Sequence, residues 1–213
     1  FGTVQPDGRR SPQTRMARNS VALQEGCAPQ TLQFHPETFF LGRPGRHDLW
    51  YWPYHGIQVG PGRVQVFLGR FAQTRPQDPF GFRQVGLDLA DLDVRRAPKV
   101  QQTRPVAHFR SAPGSVTSWG NALAQDGPWT LVYGVQDSAG SKRLLLARVP
   151  RGHLASPGTW RFFDGSGWAT DPEKAAVLAE DVSNELSVHR SAGGQWWLVS
   201  GPADTLDVYA LEH

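Results

Sequence analysis

Apolar and polar residues alternate at period two along most of this chain, and glycine or proline cuts the alternation at short intervals. Arg63-Val64-Gln65-Val66-Phe67-Leu68, Trp129-Thr130-Leu131-Val132-Tyr133, Leu144-Leu145-Leu146-Ala147-Arg148-Val149 and Gln195-Trp196-Trp197-Leu198-Val199 all read as strands. Gly60-Pro61-Gly62, Gln125-Asp126-Gly127-Pro128 and Ala192-Gly193-Gly194 read as the turns between them. The 213 residues include 23 glycines and 17 prolines, together well above the roughly 12% of average usage. One helix is predicted, Asp171 to Glu180, where Pro172 suits a first helical turn ahead of an alanine-rich stretch. The fold class is therefore all-β.

The strands recur as a unit. Tyr54 to Val59, a turn and Arg63 to Leu68 share a layout with Gly120 to Ala124, a turn and Trp129 to Tyr133. Asn184 to Val188, a turn and Gln195 to Val199 repeat it again. His55, Asn121 and Glu185 fall at equivalent places, with intervals of 121 − 55 = 66 and 185 − 121 = 64 residues. Repeats of that length suit four-stranded β-propeller blades, with Lys142 to Val149 and Thr159 to Phe163 as outer strands of the middle unit. A β-sandwich also has many short strands but does not require the recurrence. About three such blades fit in the chain, whereas propellers close with about four to eight. The expected layout is a partial propeller: 1–33 the end of one blade, with Asn19 to Gln24 as its third strand; 34–117 a blade; 118–182 a blade; 183–213 an incomplete blade ending on Leu206 to Leu211. Such a piece is expected to associate through its open blade faces, and a longer parent to be monomeric.

Composition excludes several classes of function. A hydrophobic fraction of 39% with 19% charged residues is that of neither a disordered chain nor a coiled coil. No run approaches the ~18 apolar residues of a membrane helix, so no transmembrane segment is expected. Cys27 is the single cysteine, which excludes a disulfide scaffold and leaves an extracellular location open. The net charge of +3 comes from 22 basic residues, only three of them lysines, with no block longer than Arg9-Arg10 or Arg95-Arg96. That scatter is not the concentrated basic surface of a nucleic-acid binder, and no nucleic-acid partner is expected. Seven histidines lack zinc-site spacing, and dinucleotide, phosphate-loop and nucleophilic-triad motifs are missing, so no metal or cofactor is expected.

Among the polar residues, Glu185 starts a strand whose Leu186 and Val188 are apolar, a pattern that turns Glu185 and Ser187 to the opposite face, where Glu185 is a candidate catalytic carboxyl or a rim glutamate in a salt bridge. Asp137, after an aromatic strand, and Asp48, before Trp50, are the other candidate carboxylates, though each also fits a turn or strand edge. Trp52 and Trp119 stand beside the repeat positions and are candidates to stack on a sugar, with packing between blades as the competing role. Trp196 and Trp197 read as core. His55, Asn121 and Asn184 offer neutral hydrogen bonds to sugar hydroxyls, or are satisfied buried polar groups.

Trp50-Tyr51-Trp52-Pro53-Tyr54-His55-Gly56, Ser118-Trp119-Gly120-Asn121-Ala122, Val132-Tyr133-Gly134-Val135-Gln136-Asp137, Asp164-Gly165-Ser166-Gly167-Trp168 and Ser183-Asn184-Glu185-Leu186-Ser187-Val188 follow in that order. Together they resemble the actinobacterial glycosidase-like five-bladed propellers, formerly a domain of unknown function, some of which are endo-D-arabinanases. More distantly the chain is similar to arabinanase and xylosidase propellers. The likeness runs from Phe1 to about Tyr209, about three of the family's five blades. It implies an aspartate base on the first blade, before Phe1, and a glutamate acid on a later blade, which Glu185 matches. Burial in the central funnel would keep such an acid protonated. The resemblance further implies a secreted or cell-surface glycoside hydrolase acting on a furanose-rich polysaccharide such as arabinan. The alternative is a non-catalytic carbohydrate-binding propeller using the same tryptophans.

Overall fold

A computed structural model describes residues 5–9, 11, 17–34, 38–41, 48–75, 77–78, 81–138, 140–201 and 207–211. Fifteen strands are found among them. The short β1 (Ala22–Leu23) and β2 (Gln33–Phe34) pair only with each other. A four-stranded sheet follows: β3 (Leu49–Gly60), β4 (Arg63–Gln73), β5 (Phe82–Asp93) and β6 (Lys99–Pro105), in that order. A second, antiparallel sheet comprises β7 (Arg110–Ala112), β8 (Ser115–Asp126), β9 (Trp129–Ser138), β10 (Ser141–Pro150), β11 (Arg161–Phe163) and β12 (Trp168–Ala169). The third, also antiparallel, is β13 (Leu186–Arg190), β14 (Trp196–Ser200) and β15 (Asp207–Leu211). In every sheet consecutive strands are neighbours, the local connectivity that short Gly- and Pro-containing turns favour. The predicted strands coincide with β3, β4, β8, β9, β10, β11, β13, β14 and β15, the last without Leu206, which lies outside the described residues.

The chain divides into two compact units, Phe1–Trp52 with Phe71–Arg83, and Pro53–Arg70 with Gln84–His213. In the first, Asn19 acts as a bracket rather than as part of the predicted strand Asn19 to Gln24, of which only Ala22–Leu23 is extended and paired. The buried Asn19 amide donates to the carbonyls of Phe40 and Tyr51, each at 3.0 Å, and its oxygen accepts from the Phe39 and Phe40 amides. A side chain that satisfies four backbone groups outside a ladder competes with strand pairing for them.

The second unit holds three sheets in layers. One face of the middle sheet (Trp119, Leu123, Val132, Leu145, Ala147, Val149) packs with Phe67, Leu87 and Leu89 of the first sheet. Its other face (Leu131, Tyr133, Val135, Leu144, Leu146) packs with Val188, Trp196 and Leu198 of the third. Both faces of β9 and β10 are covered, which explains the unbroken apolar run Leu144-Leu145-Leu146-Ala147. A bulge in β8 between Trp119 and Ala122 places Gly120 at φ +83°, and a Cβ there would meet the Phe67 ring at 2.2 Å. Gly134, opposite Trp119, is bare for a similar reason: the indole lies across it, 2.6 Å from where a Cβ would stand.

The helix predicted over Asp171 to Glu180 does not form. Asp171 does cap a turn, accepting from the Glu173 amide, but the turn is a single 3₁₀ element, Pro172–Lys174, and Ala175 is already extended. From there the chain lies along the free edge of β10: the Leu144 amide donates to Ala179, Leu178 to the Leu144 carbonyl, and Val182 to the Lys142 carbonyl. β11 pairs only with the far half of β10, at Ala147 and Arg148, so the near half offers unpaired backbone groups. Satisfying these while burying Val182 outweighs the helix propensity of alanine.

Candidate functional site

The residues at the recurring position lie where β3, β8 and the start of β13 are joined by hydrogen bonds. His55 on β3 accepts the Leu123 amide of β8 at its Nδ1, 3.0 Å away. The bulge at Gly120 and Asn121 shifts the β8 register just before this amide. Because Nδ1 accepts, it carries no proton, and burial holds His55 below the usual histidine range. Asn121 in turn donates through Nδ2 to the carbonyl of Asn184, 3.1 Å away, immediately before β13. That bond orients the amide and leaves Oδ1 buried with no hydrogen-bond partner among the described residues. Asn121 is only 5% exposed.

Glu185 follows Asn184. Its backbone is held from both sides: the Ser183 amide donates to Ser200 Oγ at 2.8 Å, and Ser183 Oγ donates to the Glu185 carbonyl. The side chain is exposed, as is Ser187, while Val188 is buried, so the alternation in the sequence is reproduced. Exposure differs from the expected burial in a funnel: the described residues do not enclose this carboxylate. Its charge acts on Tyr54 of β3. Burial pushes the Tyr54 phenol up to about 12; hydrogen bonding with Ser118 opposes this, and the negative charge of Glu185 adds to it. The Tyr54 hydroxyl donates to Gln84 Oε1 at 3.1 Å, and Gln84 Nε2 donates to Ser118 Oγ at 3.0 Å. Tyr54, Gln84 and Ser118 therefore form a polar group shared by the first two sheets.

The other predicted site residues are placed elsewhere. Asp137 is half-buried near the end of β9, opposite Val116 of β8 and Lys142 of β10. At ~3.3 Å per residue, the strand rises about 15 Å between Val116 and Asn121, so Asp137 does not converge on Glu185. Asp48 is an exposed turn residue before β3, in the other compact unit, where its carbonyl accepts the Gln73 amide. Trp52 belongs to that unit too and packs in an aromatic cluster, with ring centroids 4.4 Å from Phe71 and 4.8 Å from Phe82.

Trp119 is 0% exposed, its N–H donating to the His108 carbonyl and its ring set against Trp160 and Phe162. No face of it is open to a sugar, which corrects the expected stacking role: both faces of its sheet are covered. Trp196 is core as expected, but Trp197 is 39% exposed. Successive residues point to opposite faces, and only one face of this sheet is covered by the middle sheet. Sequence reasoning missed Tyr54, Ser118 and Gln84. Tyr54 adjoins the repeat position His55 and Ser118 stands three residues before Asn121, whereas Gln84 carries no local signal.

The model of a family described as a domain of unknown function, DUF5005, matches residues 1–212. The chain belongs to this family. No curated protein matches it. Among solved structures it is similar to a "putative hydrolase" from Bacteroides ovatus, with a TM-score of 0.68 at 14% sequence identity over 100% of this chain. The chain spans 61% of that protein's length. At such identity the likeness speaks for the fold alone, and neither match specifies a glycosidase or an arabinanase. No helix among the described residues of this DUF5005 member is long and apolar enough to cross a membrane.

Proposed function

We propose that the three sheets are successive blades of a glycosidase-type β-propeller and that Glu185 is the general acid of a glycoside hydrolase. The substrate in this reading is a furanose-rich polysaccharide such as arabinan, met by a secreted or cell-surface protein. The observation that carries it is the place of Glu185: exposed immediately before β13, its carbonyl accepting from Ser183, and next in sequence to Asn184, whose carbonyl accepts from the Asn121 amide. A carboxyl group can protonate a leaving oxygen, and neutral acceptors and donors around it suit sugar hydroxyls. The hydrolase description of the Bacteroides ovatus neighbour is compatible with this. The reaction also needs a second carboxylate, ~5–5.5 Å away for retention or ~6.5–9.5 Å for inversion. In this reading that carboxylate stands on another blade of the whole protein.

A second reading, a non-catalytic carbohydrate-binding propeller, is favoured by one observation. Asp137, the candidate carboxylate on β9, lies along that strand well away from Glu185. The Glu185→Gln variant separates the two. General acid–base catalysis contributes about 10²–10⁴-fold, so turnover of arabinan oligosaccharides by the whole protein should fall by that order. A substrate with a good leaving group should be partly rescued, with the melting temperature unchanged. Turnover within threefold of the parent, accompanied by a lower melting temperature, would make Glu185 structural. Binding without turnover in the parent itself would establish the second reading.

A further inference from the structure

Arg148 of β10 is held in an unusual way. Its guanidinium carbon lies 4.2 Å from the ring centroid of Trp129 and 4.1 Å from that of Trp168, between the two indoles. Both tryptophans are only half-buried. The strand register sets Arg161 of β11 directly beside Arg148. Several other arginines of this unit have a carboxylate: Arg70 pairs with Asp88, Arg104 with Asp91, Arg190 with Asp126. Among the described residues Arg148 and Arg161 have none.

Arg161 donates through Nη1 to the carbonyls of Gly158 and Trp160, and Arg148 Nε is buried without a partner. Burial pushes the Arg148 guanidinium down from its usual range, and the Arg161 charge acts the same way. The indole sandwich accounts for one fixed cation. It does not account for a second cation in register with the first and no counter-charge for either. A planar guanidinium locked in orientation, with a second positive charge at its side, is what bidentate recognition of a planar anion requires.

We propose that Arg148 and Arg161 form a binding site for the carboxylate group of an acidic ligand, flanked by Trp129 and Trp168. The carboxylate could belong to a uronic acid sugar or to a free organic acid. The site is separate from Glu185: Trp129 pairs with Asp126, about five residues along β8 from Asn121 and ~15 Å away by strand rise. It does not rest on the hydrolase reading.

The test is calorimetric titration of the whole chain at low salt with trigalacturonate, with a neutral galactose trisaccharide and with acetate, alongside indole fluorescence. Trigalacturonate should bind saturably and change the fluorescence, and the neutral trisaccharide should do neither. Acetate binding as tightly as trigalacturonate would support a free organic acid as the natural source. Weaker acetate binding would support the sugar acid. Arg148→Lys keeps the charge but loses the planar fork and should weaken binding about tenfold, which is about 1.4 kcal/mol. Arg161→Gln, outside the sandwich, gives up the bonds to the Gly158 and Trp160 carbonyls but removes no core side chain, and should weaken binding about threefold in a folded protein. It therefore carries the test if Arg148→Lys fails to fold. Equal binding of acidic and neutral trisaccharides, no saturable binding, or unchanged affinity in Arg161→Gln together with any folded Arg148→Lys would overturn the site.

Discussion

The His55 junction and the Asn121 junction use one repeat position in opposite senses. At the first, a neutral ring accepts a backbone N–H from the next sheet. At the second, a side-chain amide donates to a backbone carbonyl and leaves its own oxygen orphaned. The first stands next to a core of Phe67, Trp119 and Trp160, a packed seam between sheets. The second carries Glu185 at the next repeat position, where the side chain meets solvent. A position that twice ties neighbouring strands together turns its side chain to solvent the third time.

The largest way to break this comparison is to disrupt the bulge that serves both junctions. Gly120→Ala combines a positive φ with a Cβ 2.2 Å from the Phe67 ring. Its expected cost is several kcal/mol, about 1 from the backbone and ~1–3 from overpacking, read as a fall in denaturation midpoint. Gly127→Ala, with φ +50° and open space around the added methyl, should cost about 1 kcal/mol from the backbone alone. Equal losses for the two would mean that contact with Phe67 does not matter.

A smaller effect separates the junctions themselves. His55→Ala removes the acceptor of the Leu123 amide and leaves that donor unsatisfied, at ~1–3 kcal/mol. Asn121→Ala also removes one hydrogen bond but takes an orphaned acceptor with it, so the two terms partly cancel, and its cost should be under ~1 kcal/mol. Chemical denaturation of both variants beside the parent measures the difference. If Asn121→Ala proves the more damaging, its oxygen has a partner in solution and is not free for a ligand.

Strand positions and the recurrence were readable because each hairpin is local: turn residues and alternation act within about ten residues. The outward direction of Glu185 was readable for the same reason, from Leu186 and Val188. What failed depends on which faces are covered. Trp119 and Trp197 each lie in a strand-like run, yet one is sealed between sheets and the other half open. Alternation says that two faces exist and not which of them is covered. The helix at Asp171 to Glu180 failed because the free edge of β10, distant in sequence, offers backbone partners. Gln84 joins Tyr54, 30 residues before it, to Ser118, 34 residues after it, a bridge with no local pattern.

The smallest expected effect is a pH dependence that sharpens the contrast between a titrating junction and a neutral one. Burial lowers the pKa of His55 in the folded protein, while the unfolded chain takes a proton near 6.5. Above about pH 6.5 neither state is protonated, and the His55 contribution to stability is fully present. As pH falls from 6.5 towards the folded pKa, the unfolded state binds the proton first and stability is lost. Half-burial and solvent screening keep the slope below the ~1.4 kcal/mol per pH unit of one fully coupled group. His108 is lowered as well, chiefly by burial, and contributes with the same sign. Asp93 and Asp164 are held below the usual carboxylate range, by Arg95 and by the Ser166 and Gly167 amides respectively, so their contributions are lost only in more acidic solution. Between pH 5.5 and 7 the histidines therefore dominate. The measurement is melting temperature across that window for the parent, His55→Gln and Asn121→Ala. His55→Gln, which can still accept from Leu123 but cannot titrate, should flatten part of the slope, and Asn121→Ala should leave it unchanged. A slope identical in the parent and His55→Gln would mean that His55 Nδ1 is not the buried neutral acceptor on which the first junction depends.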